Sequence, residues 1–377
     1  MFVEKLDIGG SGPRVAIKDT IDVAGVPTRC GSPALAGMSP AASHAVVVER
    51  LLGAGCKIVG KTTLHELAFG VTGINSWAGT PVNNAWPDRI PGGSSSGSAA
   101  AIAAGQADIA LGTDTGGSVR VPAACCGVIG LKPSFGRLDR TGVAPAESTL
   151  DCVGPFAQQM SDILFAMAAM DFDFVPEGQK TWRVGRLDVP AEPLIDQALD
   201  SVLATGGMSV DRVAPPDLRE AFDAALAIIN RETFTAFGRL LETGKVGEDV
   251  AVRLAAAGST TDEQVRGAEK IRTRFRGQID ALFDRFDVLV LPTLPVFPPL
   301  LADAMADRSA VSLTSLVRPF NLSGHPALSL PVPTLRGLPA GLQIVGRHGE
   351  DALLCAVGVH VEQAVKAFRI EGKIAHA

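Results

Sequence analysis

Two short stretches of the chain concentrate glycine and serine, Pro91-Gly-Gly-Ser-Ser-Ser-Gly-Ser98 and Gly112-Thr-Asp-Thr-Gly-Gly-Ser118, and a lysine stands in Val15-Ala-Ile-Lys18-Asp19. Together these residues can do acyl chemistry. Ser118 follows Gly116-Gly117, so several backbone N–H groups lie under no bulky side chain and can converge on a developing oxyanion, with the hydroxyl at the same turn. A serine that attacks a carbonyl needs a base. A lysine kept neutral by desolvation can accept the proton, and a second serine can relay it. Lys18 and Ser94 are the candidates for base and relay.

The elements that would position these groups alternate. Val15-Ala-Ile17 reads as a strand delivering Lys18, His44 to Gly53 as a helix with Val46, Val47, Leu51 and Leu52 on its apolar side, and Cys56 to Val59 as the next strand. Residues 70–98 then lose all periodicity and are rich in Gly, Ser, Asn and Pro; an irregular stretch of that length in a folded chain is usually functional. A small-residue helix from Ala99 to Gly105 and a strand, Ile109-Ala-Leu111, lead into the second turn. From Pro190 to about Phe286 the chain is more helical and more charged, with Ala221 to Ile229 and Thr261 to Phe283 its clearest amphipathic pieces. Val288 to Leu291 and Gly341 to Gly346 read as buried strands. With no repeat, linker or clean boundary, the expectation is one α/β domain over residues 1–377, with a helical cover at about 190–286.

Of the 377 residues, 46% are hydrophobic and 20% charged, which excludes disorder and fibre. The net charge of −6 and the lack of a basic stripe argue against a nucleic-acid partner; Arg266 to Arg276, interrupted by Glu269, reads as a solvated helix face. No apolar run is long enough for a membrane span, and Met1-Phe-Val-Glu-Lys5 has no signal core, so no membrane and a cytoplasmic location are expected. Six cysteines, two of them adjacent at Cys125-Cys126, suit neither a disulfide framework nor a metal site.

Several motifs match only on paper. Gly55-Cys-Lys-Ile-Val-Gly60-Lys61-Thr62 has phosphate-loop spacing, but its middle residues are themselves a strand candidate. Gly93-Ser-Ser95-Ser-Gly97 has nucleophile-elbow spacing, but the two prolines in Ala85 to Pro91 deny it the strand it needs upstream. His65-Glu66 opens a zinc-protease signature that Phe69 breaks. His325, His348, His360 and His376 stand in no local pattern that pairs them with a serine.

The chain resembles the amidase signature family, on Pro91 to Ala100, on Gly112-Thr-Asp-Thr-Gly-Gly-Ser-Val-Arg-Val-Pro-Ala123 and on Ala16-Ile-Lys18-Asp-Thr-Ile-Asp-Val-Ala-Gly25. Weaker echoes are Gly60-Lys-Thr, Glu66, Asn75, Gly79-Thr-Pro81, Gly130-Leu-Lys-Pro133 and Gly341-Leu-Gln343. Its length and the second turn are similar to those of plant-type indole-acetamide hydrolases and their bacterial relatives. The resemblance implies an α/β/α sandwich with a large mixed twisted sheet, and an amidohydrolase that needs no metal or organic cofactor. It makes Ser118 the acyl nucleophile, Ser94 the serine on a cis peptide bond, and Lys18 the general base. The N–H groups of Thr115, Gly116, Gly117 and Ser118 become the oxyanion hole, and Ser95 a supporting hydrogen-bonder.

Asp114 and Arg120 are then either a buried pair shaping the turn or, through Arg120, a grip on a substrate carboxylate. The stretches Phe69 to Ile74 (with Phe69, Gly70, Gly73 and Ile74 foremost), Cys125-Cys126 and Leu316 to Asn321 (with Asn321 foremost) are the candidates for the substrate pocket, each of which equally suits core packing. The expected partner is a small amide, cleaved to carboxylate and ammonia, and a homodimer is left open. Ureido-type amides are one alternative. Another, an ammonia-generating subunit of a tRNA-dependent amidotransferase, ranks lower here because that class is longer, is partner-bound and has more chain ahead of the lysine motif. A non-catalytic protein on the same scaffold is a third, disfavoured by intact Lys18, Ser94 and Ser118.

Overall fold

The computed structural model describes residues 1–178, 181–306 and 310–370; His376 lies outside them. Eleven strands, β1 (Phe2–Gly9), β2 (Arg14–Lys18), β3 (Lys57–Thr62), β4 (Ile109–Asp114), β5 (Ile129–Lys132), β6 (Cys152–Ala157), β7 (Val184–Leu187), β8 (Val210–Val213), β9 (Val288–Pro292), β10 (Ala327–Val332) and β11 (Ala340–Gly346), form one sheet. Its order is β1-β3-β2-β4-β6-β5-β10-β11-β9-β7-β8. β2 runs parallel to both β3 and β4, β7 runs parallel to β8 and β9, and the remaining pairs are antiparallel, so the sheet is mixed as expected.

The helices are α1 (Val46–Gly53), α2 (Ser96–Ala103), α3 (Arg120–Cys126), α4 (Met160–Met170), α5 (Pro193–Thr205), α6 (Leu218–Phe237), α7 (Glu248–Ala257), α8 (Asp262–Leu282), α9 (Leu301–Ala306), α10 (Arg318–Ser323) and α11 (Asp351–Ile370). Strand alternation assigns them to two layers. Val15 and Ile17 of β2, Ile109 and Leu111 of β4, and Val288 and Val290 of β9 share a core with α1, α4, α5 and α11. The residues between them point the other way: Ala16 and Ala110 pack with α2 and α3, and Leu289 and Leu291 with α6, α8 and α10.

Side-chain size sets how closely each helix lies on the sheet. α2, Ser-Gly-Ser-Ala-Ala-Ala-Ile-Ala, is buried along its first seven residues. A Cβ on Gly97 would fall 2.6 Å from the Thr63 carbonyl oxygen, so only glycine permits this approach. α8 is instead a long amphipathic helix started by a capping box between Thr261 and Gln264. Within the expected helical cover, β8 is an exception: Val210 to Val213 pairs with β7 and ends the sheet. β1, unforeseen in the sequence, covers the opposite edge at β3.

Candidate active site

β2 and β4 bring the two motifs together. Their register pairs Ile17 with Leu111, which places Lys18, the last residue of β2, beside the Gly112-Thr113 end of β4. Active groups gather where parallel strands end. Lys18 is fully buried and its Nζ donates to Ser94 Oγ at 2.8 Å and to Thr113 Oγ1 at 2.7 Å. Burial pulls the lysine pKa down to about 8, against the opposing pull of Asp151 and Asp114. The Gly93–Ser94 peptide bond is cis.

Ser95 fastens one turn to the other. Its N–H donates to the Ser118 carbonyl at 3.2 Å, while its Oγ donates to the Thr113 carbonyl and accepts from the Thr113 N–H. Ser118 lines a cavity of about 270 Å³ together with Thr115, Gly116, His65, Phe69, Gly70, Leu226, Ile229, Arg253 and Arg318.

The second turn is shaped by Asp114. Its carboxylate accepts from the N–H groups of Gly117 at 2.7 Å and Val119 at 3.1 Å, and pairs with Arg120 at 2.9 Å with both side chains fully buried. Burial alone would raise its pKa, but Arg120, with help from Asn321, holds it well below the carboxylate range. Gly117 sits at φ +115°, and a Cβ there would meet Val317 at 2.3 Å. Since its N–H is engaged by Asp114, the donors left for the cavity side of the turn are those of Thr115, Gly116 and Ser118. Thr115 is held in turn through its hydroxyl, which donates to buried Asp151 at 2.8 Å.

The geometry decides the Asp114–Arg120 alternative. Arg120 also donates to Gln343 Oε1, Asn321 Oδ1 and the Val317 carbonyl, is fully buried and does not line the cavity, so it is a structural partner of Asp114 and no grip on a substrate. Asn321 belongs to the same network, donating to the Asp114 carbonyl and carboxylate at 2.8 Å each, and is corrected from pocket to turn support.

Of the other pocket candidates, Phe69, Gly70, Val71, Thr72 and Arg318 reach the cavity. Ile74 and Cys125 pack in a small core with Ile90, Val121 and Leu294, and Cys126 Sγ donates to the Pro91 carbonyl. Gly73 abuts Gly92, where a Cβ would fall 2.4 Å from its carbonyl oxygen. These four hold the first turn from behind. The phosphate-loop lookalike is a strand, with Lys61 paired to buried Asp19 at 3.2 Å. Of the histidines, His325 bonds Asp280 and His360 the Gly206 carbonyl, and neither lines the cavity.

Sequence reading missed Thr113 and Asp151 near the lysine, and the cavity residues Leu226, Ile229 and Arg253, whereas Arg318 falls within the candidate stretch Leu316 to Asn321. Thr113 lay inside a recognised motif and adjoins Lys18 once the strands are paired. Asp151 lies just ahead of β6, and the cavity residues come from helices whose spacing marks only an apolar face.

This combination of a mixed sheet between helical layers, a lysine–serine hydrogen bond and a glycine turn defines an α/β/α amidohydrolase. The chain belongs to the amidase family, whose model, described as Amidase, matches residues 11–190 and 186–355. It is an amidase that hydrolyses amide C–N bonds. A glutamyl-tRNA(Gln) amidotransferase subunit from Halobacterium salinarum is 35% identical, over 93% of this chain and 95% of that one. A crystal structure of an amidase superposes with a TM-score of 0.85 at 31% identity, covering 94% of this chain and 84% of that one. The corresponding glutamyl-tRNA(Gln) amidotransferase subunit from Thermotoga maritima superposes with a TM-score of 0.83 at 28% identity, covering 96% and 87%.

These relatives overturn the expectation that nucleic acid has no place here, because their name ties them to a tRNA amidotransferase. Net charge describes a chain's own surface, and says little about an assembly in which that chain is one of several. The length objection fails too, since 95% of the Halobacterium relative is matched.

Proposed function

We propose that this chain is the ammonia-releasing amidase subunit of a tRNA-dependent amidotransferase, acting through a Ser118 acyl-enzyme. The assembly is supported by the name and near full-length match of the relatives. The chemistry is supported above all by the 2.8 Å bond from a buried lysine, its pKa lowered to about 8, to Ser94. Neutral Lys18 takes the Ser94 proton as Ser94 takes that of Ser118, and Ser118 Oγ bonds to the amide carbon. The N–H groups of Thr115, Gly116 and Ser118 hold the oxyanion. The proton returns through Ser94 to the nitrogen as the C–N bond breaks and ammonia leaves; water then splits the ester by the same relay in reverse.

Two measurements test this. A fluorophosphonate should modify Ser118 and no other residue, and failure to label would sink the acyl-enzyme. Co-purification from the native cell should recover partner subunits, with ammonia release stimulated by glutamyl-tRNA(Gln). A chain that is recovered alone and releases ammonia at full rate without them is a free amidase of small amides instead.

A further inference from the structure

Asp151 stands directly ahead of β6 and is 1% exposed. β4 and β6 pair Asp114 with Cys152, so one further step along both chains sets Asp151 across from Thr115, where the oxyanion turn begins. Its Oδ1 accepts from the Thr115 hydroxyl at 2.8 Å, and its Oδ2 accepts from Arg140 Nη2 at 2.9 Å and Nε at 3.1 Å. The acid's backbone is fixed as well. Its N–H donates to Ser148 Oγ at 3.1 Å, and the Ser148 hydroxyl donates to Glu232 of α6 at 2.8 Å.

Burying a carboxylate is costly unless charge and hydrogen bonds replace its water. Arg140 meets that demand with two nitrogens. The Thr115 bond is additional, and it acts on a residue that lines the Ser118 cavity. Asp114 grips the other side of the same turn through the Gly117 and Val119 N–H groups, so one acid from β4 and one from the start of β6 hold it at both ends.

The same carboxylate lies in the field of the lysine. Asp151, Asp114 and Cys30 each favour the protonated Lys18 amine against the effect of burial, and Asp151 does so most strongly. Lys18 and Arg140 in return favour the Asp151 carboxylate, whose pKa burial raises. Lys61, on the neighbouring β3, is paired with Asp19.

We infer that Asp151 is a positioning residue of the reaction: by holding the Thr115 hydroxyl it aims the N–H groups of the turn at the substrate carbonyl, while its charge faces the lysine that becomes a cation in the same step. When Ser118 attacks, an oxyanion and an ammonium form together, and one buried acid serves both. The inference rests on the acyl-enzyme reading above and adds a residue to it. Because Asp151 favours protonated Lys18, removing its charge lets the lysine become neutral at lower pH.

The test is the rate at which a fluorophosphonate labels Ser118 of the full chain, followed from about pH 6 to 10. Labelling joins Ser118 Oγ to phosphorus, expels fluoride and passes the hydroxyl proton through Ser94 to Lys18, so it calls on base and oxyanion donors whatever the substrate. Thr115→Val removes the bond and keeps the acid; it should lower the plateau rate about 10- to 100-fold and leave the rising limb in place. Thr115→Ser keeps the hydroxyl and should label at nearly the parent rate. Asp151→Asn should lower the plateau by a similar factor and also move the limb to lower pH.

An Asp151→Asn enzyme that labels like the parent overturns the inference. So does one that labels slowly with its limb unmoved and its melting temperature lowered, since that acid would be structural only. A Thr115→Val enzyme as fast as the parent overturns it too, and the two Thr115 variants decide the positioning role where Asp151→Asn does not fold. A parent that resists labelling refutes the acyl-enzyme itself; a labelled parent with unaffected variants keeps that reading and loses this one.

Discussion

Between Arg14 and Lys132, the groups that meet at Ser94 and Ser118 are carried on strand ends, two glycine turns and two helices buried over nearly their whole length. Between Leu218 and Ala257, the cavity wall is made by α6 and α7, amphipathic helices whose outer faces meet solvent. The two regions touch at few polar points, among them Gly247 N–H to Glu66 at 3.0 Å and Arg253 to His65 at 2.9 Å. In the first region, on the mechanism proposed above, backbone N–H groups act on the reacting amide themselves, so position and residue type are both constrained. In the second, any apolar side chain of suitable volume makes a wall, and sequence is free to follow the substrate.

That contrast can be broken most directly at Ser118. Ser118→Ala should lower ammonia release by roughly 10⁴- to 10⁶-fold; a variant within tenfold of the parent in steady-state assay would move the chemistry elsewhere. Lys18→Met should cost about 10²- to 10⁴-fold at neutral pH. In the parent, the base works only when neutral, so kcat/KM should be low below the lysine pKa, rise through about 8 and level off above it. A flat profile from pH 6 to 10 would remove Lys18 from the role.

Asp114→Asn separates scaffold from chemistry within the first region. It leaves Arg120 buried beside a neutral amide and should destabilise the fold by about 3–5 kcal/mol in denaturant titration. A loss below about 1 kcal/mol would mean that Arg120 has other sufficient partners. The smallest effect belongs to the second region. Ile229→Ala should raise KM by about tenfold while kcat changes little, because it removes binding surface shared by ground and transition states. A large fall in kcat there would show that the helical wall positions the reacting amide.

The same contrast explains what the sequence could reveal. Lys18, Ser94, Ser95 and the Thr115–Ser118 turn were legible because glycine and serine at fixed spacing have few uses other than exposing backbone donors and hydroxyls. The buried strands were legible from runs such as Val288 to Leu291. Asn321 and Cys125 were misplaced because a buried polar or sulfur side chain reads the same whether it faces a ligand or a carbonyl. Arg318 was reached only within the stretch Leu316 to Asn321, because spacing alone does not say which side chain of a short helix enters a cavity. β1 and β8, at the two sheet edges, carry too many charged residues to signal strands: Phe-Val-Glu-Lys-Leu-Asp-Ile-Gly and Val-Asp-Arg-Val.

The six cysteines are all buried and unpaired, and burial pushes the thiols of Cys30 and Cys126 up to about 12 and those of Cys56 and Cys152 to about 11. Near pH 8 the folded molecule therefore presents almost no thiolate to an alkylating reagent. Each unfolding event exposes six at once, so the rate of thiol alkylation becomes a built-in clock for opening of the fold.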